Sequence, residues 1–290
     1  MNAALVVLDM LRHAVTRDEY AHLLEEFAPV DMTPDKTLIQ RLTNTLSQMQ
    51  HKGQHLDGIV SVDEHLLEVI ARAATLLNLP AHPLAQSPWP RISSKSPSTR
   101  DQPGYNHFHG HEELIEKYVN GPEVDANMAL VNGQVAFFEA NDDFPSSADY
   151  VHADDTAARP APFVETSSMV PSALPAGERK TLQQRLHKIA LAVGFRDGVL
   201  HTGAKRSNSS SRLVQVKGAE SEDIVDLDPK PEVTSAKNRD DIILIEINPR
   251  APGWQEVEAT AQAYGLSYYS SAIANAIDDR EQLLHYIYRL

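Results

Sequence analysis

Residues Ile242 to Arg250 read Ile-Ile-Leu-Ile-Glu-Ile-Asn-Pro-Arg, an aliphatic run followed by alternate polar residues. This run of β-branched and aliphatic residues predicts a strand over Ile242–Ile247, and Pro249 ends the strand because proline cannot donate to a ladder. Side chains two residues apart in a strand face the same side, so Glu246, Asn248 and Arg250 are expected to project together. Carboxylate and amide oxygens suit Mg²⁺, and a guanidinium suits a phosphate or carboxylate. The sequence therefore predicts a metal and anion site at this strand end.

The segments around this strand have the pattern of an α/β domain. An Asn-Gly pair between two alternating apolar runs predicts a β-hairpin with its turn at 131–134. An apolar stripe with polar residues elsewhere predicts a helix over Gly177–Val193, ended by Gly194. Further elements expected from periodicity are strands at Val124–Leu130, Gln134–Glu139 and Gly198–Thr202, and helices at Gln255–Ala263 and Ser270–Ile287.

The first 110 residues divide into a patterned part and a proline-rich part. Helices are predicted at Glu19–Phe27 and Lys36–Met49, and a strand at Gly58–Val62 precedes a helix at His65–Asn78 that Asp63 is placed to cap. From about residue 81 to residue 110, prolines and serines replace large aliphatic residues. That segment is predicted to be a linker or loop.

Composition narrows the class of protein. The formal net charge of −14 disfavours nucleic acid as a partner, and the lack of cysteine excludes disulfides and thiolate metal sites. No apolar run approaches a membrane span, and the N-terminus lacks the basic and small-residue features of a secretory signal. A cytoplasmic protein without a membrane or nucleic-acid partner is expected, and the sequence predicts no particular oligomeric state.

Four separated stretches resemble the ATP-grasp ligases, within them the carnosine-synthase-like and L-amino-acid-ligase branch. They are Leu56–Val60 with the helix that follows, Ile115–Asp125, Gly194–Thr202 and Leu244–Gly253. The resemblance implies an α/β, ATP-grasp-like fold that is truncated and retains a remnant of the Rossmann-like pre-ATP-grasp domain. It implies a shortened pre-ATP-grasp domain at 1–84, a linker at 85–112 in place of the small subdomain, and a catalytic subdomain at 113–290.

The same resemblance implies roles for individual residues. ATP is the expected cosubstrate and Mg²⁺ the expected metal, with Mn²⁺ as an alternative, and a small amino acid or carboxylate is the expected substrate. The implied metal ligands are Glu246 and Asn248, the implied catalytic residues are Arg250 and His201, and the implied nucleotide-binding residues are Glu116, Lys117, Tyr118, Val119 and Glu123. His201 could orient the substrate or simply pack. The implied reaction activates a carboxylate as an acyl phosphate, which an amine attacks to form an amide.

Two departures from the family pattern leave a second interpretation open. The position of the family's other magnesium-binding glutamate is Gly203 here, for which Glu165 or Asp197 could substitute only through folding. The lysine-bearing subdomain is replaced by a short Pro/Ser segment. An inactive or truncated relative that acts as a nucleotide-binding or interaction module is therefore the alternative to an active ligase.

Overall fold

The computed structural model of the chain describes residues 5–9, 24–63, 66–80, 119, 121–144, 168–215, 225–230 and 242–287. Backbone contacts divide the chain into two units, Met1–Ala85 and Gln86–Leu290. The predicted linker at 85–112 lies outside the described residues, so the three predicted domain boundaries stay predictions. None of the helices described below could span a membrane.

In its described residues, the first unit contains one pair of parallel strands and two helices. These elements are β1 (Leu5–Asp9), β2 (Leu24–Pro29), α1 (Leu38–His51) and α2 (Leu67–Leu76). Helix α1 is amphipathic and buries Leu38, Leu42 and Leu46, and Leu46 packs against Ala28 of β2. The two predicted helices that begin at Lys36 and His65 are thus confirmed as α1 and α2, with shifted ends.

Three expectations for the first unit are wrong. The predicted helix over Glu19–Phe27 is contradicted by β2, where Pro29 disfavours helical geometry in the residue before it. The described backbone over Gly58–Val62 is not a strand, and its valines are exposed, Val60 to 44% and Val62 to 55%. The cap position of α2 is Leu66 without a side-chain cap, and Asp63 contributes a backbone carbonyl that accepts from the Leu66 amide at 3.1 Å.

The second unit is built on a five-stranded antiparallel sheet in the order β5-β4-β3-β6-β9. Its strands are β3 (Glu123–Val131), β4 (Gln134–Asp143), β5 (Ser168–Met169), β6 (Gly198–Arg206) and β9 (Ile242–Asn248), and a separate pair is formed by β7 (Ser211–Gln215) and β8 (Val225–Pro229). The predicted hairpin is confirmed as β3–β4. Asn132 and Gly133 have φ values of 52° and 75°, the left-handed geometry of a tight hairpin turn.

Helices cover both faces of this sheet. Those that the structure describes are α3 (Ala176–Ala192), α4 (Trp254–Tyr264), α5 (Tyr268–Ala276) and α6 (Arg280–Ile287). Ala129 and Val199 pack in one apolar core with residues of α4 to α6. The single helix predicted over Ser270–Ile287 is wrong, because the chain breaks at Asp278, whose φ is 54°.

A buried ion pair fixes α3 to the opposite face of the sheet. Glu178 in the first turn of α3 accepts a hydrogen bond from Arg206 Nε of β6 at 3.0 Å, and both side chains are nearly buried. The same carboxylate accepts from the Ser209 hydroxyl at 2.8 Å and from the Ser210 amide at 2.7 Å. Burial opposes ionisation, but the hydrogen bonds from Ser210 and Ser209 and the charge of Arg206 lower the pKa of Glu178 on balance.

Candidate metal and nucleotide site

One face of the sheet carries a row of polar side chains. In the register of the strands, Asp125 lies opposite Gly203, Asn127 opposite His201, Gly203 opposite Glu246 and His201 opposite Asn248. Because side chains alternate along a strand, residues at these positions share one face. The polar residues of this face are Glu123, Asp125 and Asn127 of β3, Glu139, Asn141 and Asp143 of β4, His201 and Lys205 of β6, and Glu246 and Asn248 of β9.

His201 lies at the centre of three carboxylates. Its Nε2 atom is 3.6 Å from Glu246 Oε1 and 3.8 Å from Asp125 Oδ1. One ligand atom each of Asp125, His201 and Glu256 of α4 lie within 4.8 Å of one another. These three residues are only 2%, 6% and 8% exposed. Like charges held this close in a protected place favour a cation among them.

Asn127 fixes the orientation and tautomer of His201. The Asn127 amide nitrogen donates to Glu256 Oε2 at 3.0 Å and to Glu139 Oε1 at 3.3 Å, so its oxygen is the atom that faces His201. That oxygen is 2.8 Å from His201 Nδ1, which must therefore carry a proton and donate it. The assigned hydrogen-bond network thus directs Nε2 toward the carboxylates of Asp125 and Glu246.

Glu139 lies at the base of this network and is almost completely buried. Its Oε1 atom accepts from the Thr260 and Tyr268 hydroxyls, both at 2.7 Å, as well as from Asn127. Burial raises the pKa of Glu139, although these hydrogen bonds act in the opposite direction. Asn141, its neighbour on the same face of β4, donates to Glu256 Oε2 at 3.0 Å. Three strand residues of the polar face, Asn127, Glu139 and Asn141, are therefore joined to α4 or α5.

The structure brings together the two predicted metal ligands and one predicted catalytic residue. Asn248 Nδ2 donates to Glu246 Oε1 at 3.0 Å, and that oxygen also faces His201. Arg250 follows the end of β9, and its Nη1 donates to the neighbouring Ala251 carbonyl at 2.8 Å. Glu246, Asn248 and His201 thus lie together, whereas the Arg250 guanidinium bonds to the loop after the strand.

The predicted nucleotide-binding residues are only partly described. Glu116, Lys117 and Tyr118 lie outside the described residues, and Val119 is half-buried. Glu123 is on the polar face but forms an ion pair with Lys205 at 3.0 Å. Their roles remain predictions, and a ribose hydroxyl at Glu123 would have to share its carboxylate with this lysine.

Sequence reasoning missed two acids of the site, Asp125 and Glu256. It also offered Asp197 as a replacement for an acid at position 203, and Asp197 lies elsewhere. Asp197 accepts from the Asn132 amide at 2.7 Å, at the hairpin turn and roughly 20 Å along β3 from Asp125. Glu165 lies outside the described residues. Asp125 is the acid opposite Gly203. The alternation Glu123, Asp125, Asn127 was the sequence signal that could have found it.

Gly203 leaves room for this arrangement. A Cβ atom on Gly203 would lie 3.0 Å from Glu246 Cγ and 3.8 Å from Asp125 Oδ1. A side chain there would push Glu246 aside, because few real Cβ contacts are that short. The donor set of carboxylate and amide oxygens fits Mg²⁺, and the imidazole nitrogen adds a ligand that Mn²⁺ and other transition metals accept.

Comparisons with known proteins show what the chain is similar to. Residues 3–81 match the family described as the ATP-grasp N-terminal domain. The chain is 30% identical over 272 residues to the ATP-grasp enzyme fsqD of Aspergillus fumigatus, covering 90% of this chain and 44% of that protein. It is 28% identical over 116 residues to carnosine synthase 1 of Gallus gallus, covering 40% of this chain and 11% of that protein. The chain therefore spans less than half the length of these two relatives.

A solved structure supports the fold. The crystal structure of L-amino acid ligase from Bacillus licheniformis is similar with a TM-score of 0.57 at 15% sequence identity, over 90% of this chain and 66% of that chain. The α/β fold and the resemblance inferred from the sequence are thereby confirmed. The chain is thus similar to ATP-grasp enzymes: its residues 3–81 match the ATP-grasp N-terminal domain, and its fold is ATP-grasp-like.

Proposed function

We propose that this chain carries the metal and nucleotide site of an ATP- and Mg²⁺-dependent carboxylate–amine ligase that forms an amide through an acyl phosphate. One observation carries the proposal: Glu246, Asn248 and His201 lie on one sheet face beside Asp125 and Glu256. Acyl activation by ATP depends on positioning and on neutralising phosphate charge, and needs no nucleophilic side chain. The relatives support the reaction class, since they include ATP-grasp enzymes and an L-amino acid ligase.

Each predicted residue has a role in this proposal. Glu246 and Asn248 hold Mg²⁺, or Mn²⁺ as the alternative, and the bound cation supplies positive charge to the ATP phosphates. Arg250 supplies a guanidinium for the phosphoryl group or the substrate carboxylate, and would have to release the Ala251 carbonyl to do so. His201, held by Asn127, orients the substrate. The segment 116–119 and Glu123 contact the adenine and ribose, and an amino acid or another small carboxylate is the substrate.

Binding and turnover together test the proposal. Calorimetry should detect ATP in the presence of Mg²⁺, and ADP release should require both a carboxylate and an amine. Glu246→Gln should weaken Mg-ATP binding about 10- to 100-fold, the loss typical of a changed group at a metal site. Glu258→Gln is the matched control, because Glu258 is exposed on α4. Absence of binding at millimolar nucleotide would end the ligase assignment.

A second candidate function is favoured by Gly203. The chain would then be an inactive relative that binds nucleotide, or a partner, without forming a product. The observation in its favour is that no carboxylate is offered by residue 203, where the family's ligand is expected, and that Glu246 leaves little room for one. Nucleotide binding without ADP release, over a panel of amino acids and carboxylates, would support this second function against the first.

A further inference from the structure

The spacing of Asp125, His201 and Glu256 is close to that of ligands around one cation. At metal–ligand distances of about 2.1 Å, neighbouring ligand atoms in an octahedron lie about 3.0 Å apart and opposite ones about 4.2 Å apart. His201 Nε2 and Asp125 Oδ1 are 3.8 Å apart, and all three ligand atoms lie within 4.8 Å of one another. These separations exceed hydrogen-bond length but need only small movements to enclose an ion.

A nitrogen atom of a buried histidine points into this group. The His201 side chain is 7% exposed, and its Nε2 atom has no hydrogen bond to the described residues. Because Nδ1 donates to Asn127, the neutral imidazole has its lone pair on Nε2, directed at Asp125 and Glu246. A histidine whose far nitrogen is fixed by a hydrogen bond is the usual form of a metal-bound imidazole. This orientation is independent of the clustering of the acids.

We propose that Asp125, His201 and Glu256 bind one divalent transition-metal ion through two carboxylates and an imidazole nitrogen, and that this ion binds without nucleotide. The donor set favours Mn²⁺ over Mg²⁺, because Mg²⁺ prefers oxygen ligands alone. Asp125 supplies the carboxylate that residue 203 does not, from the strand directly opposite. The ion would lie beside Glu246, whose Oε1 is 3.6 Å from the same nitrogen.

The site is coupled to the rest of the network by Glu256. Its Oε2 atom accepts from both Asn127 and Asn141, at 3.0 Å in each case. One carboxylate oxygen is therefore occupied by amide donors, and the second remains for the ion. Asn127 thus orients two of the three proposed ligands, His201 through its oxygen and Glu256 through its nitrogen.

The test is a titration of the full, metal-stripped chain with Mn²⁺ alone, followed by electron paramagnetic resonance. We expect one bound Mn²⁺ per chain and a pulsed-resonance coupling to an imidazole ¹⁴N nucleus. His201→Gln should remove the nitrogen coupling, and Asp125→Asn and Glu256→Gln should each weaken binding about tenfold or more. Glu258→Gln, on the exposed side of the same helix, should bind as the unmodified chain does.

Several results would overturn the proposal. They are an absence of Mn²⁺ binding at millimolar metal, bound Mn²⁺ without nitrogen coupling, and a coupling that persists in His201→Gln. If the variants do not fold, the unmodified chain still tests the proposal through its nitrogen coupling. A competition experiment adds a second test, in which displacing the bound Mn²⁺ should need about tenfold more Mg²⁺ than Mn²⁺. Because nucleotide is absent from this titration, the two proposals can fail separately. Binding of Mn²⁺ without binding of Mg-ATP would support this site and contradict the proposed ligase function. Binding of Mg-ATP without binding of Mn²⁺ alone would contradict this site and support the ligase function.

Discussion

Replacing Asn127 with alanine tests whether the polar network holds the sheet to its helices. The change removes hydrogen bonds to Glu256, Glu139 and His201 from a side chain that is fully buried. A buried hydrogen bond contributes about 0.5–1.5 kcal/mol, and one to a charged group about 1.5–3 kcal/mol. Because the Glu256 bond is of the second kind, we expect Asn127→Ala to lower the free energy of unfolding by about 2.5–6 kcal/mol.

Asn141→Ala is the matched control. Asn141 is also fully buried on the same face of the neighbouring strand, but its amide makes a single bond here, to Glu256. Both substitutions leave a cavity of the same size, so the cavity cost cancels when the two variants are compared. The lost bond to Glu256 should lower the free energy of unfolding of Asn141→Ala by about 1.5–3 kcal/mol. Trp254 is the first residue of α4, whose Val257 packs on this sheet, so the fluorescence of Trp254 reports on unfolding of the sheet in urea. Equal losses in the two variants, within about 0.5 kcal/mol, would refute the idea that Asn127 joins three elements.

Three further predictions concern buried acids and one glycine. Burial opposes ionisation of Glu178, but its hydrogen bonds lower its pKa on balance. The ionised Glu178 therefore stabilises the fold fully above the ordinary glutamate pKa of about 4.3, and this stabilisation is lost as the pH falls through the lowered pKa. Glu178→Gln should remove this pH-dependent loss in urea unfolding at about pH 3–6. Burial raises the pKa of Glu139, so its contribution to the free energy of unfolding is complete below about pH 4.3 and is lost as the pH rises through the raised pKa. Glu139→Gln should make the free energy of unfolding fall less steeply with rising pH. An unchanged slope would contradict this prediction. Gly203→Ala should lower the free energy of unfolding by about 1–3 kcal/mol and weaken Mg-ATP binding, because the added Cβ displaces Glu246. Gly177→Ala, at a helical position with open space, is the control and should raise the free energy of unfolding by about 0.5–1 kcal/mol. Thermal unfolding of both variants measures these changes.

Local signals predicted the second unit well because each of them acts over a few residues. Asn132-Gly133 can adopt the left-handed geometry that a two-residue hairpin needs, and this fixed both the turn and the pairing of β3 with β4. The apolar run before Glu246 and the proline after Asn248 set the limits of β9. The first unit was harder, since a short apolar segment such as Leu24–Pro29 has no periodicity that separates a strand from a helix.

The site itself depends on contacts that no local pattern contains. Glu246 and Asn248 were found because they are two residues apart on one strand. Asp125 is 121 positions away from Glu246, and it reaches the site only because β3 and β9 both pair with β6. Glu256 reaches it from a helix, where its burial could not be read from a segment with mixed polar and apolar residues.

The register explains why the loss of an acid at position 203 need not empty the site of charge. Residues opposite each other in an antiparallel pair have Cβ atoms about 4.5–5.5 Å apart, so a carboxylate on either strand can serve nearly the same volume. Asp125 and Glu246 lie opposite Gly203 on its two sides, and the absence of a side chain at Gly203 lets both approach His201. A glutamate at 203 would enter that space as a further negative charge and meet Glu246 at once. The position of the Asp125 carboxylate beside His201 therefore depends on the absence of a side chain at Gly203. Substituting either residue alone tests this dependence.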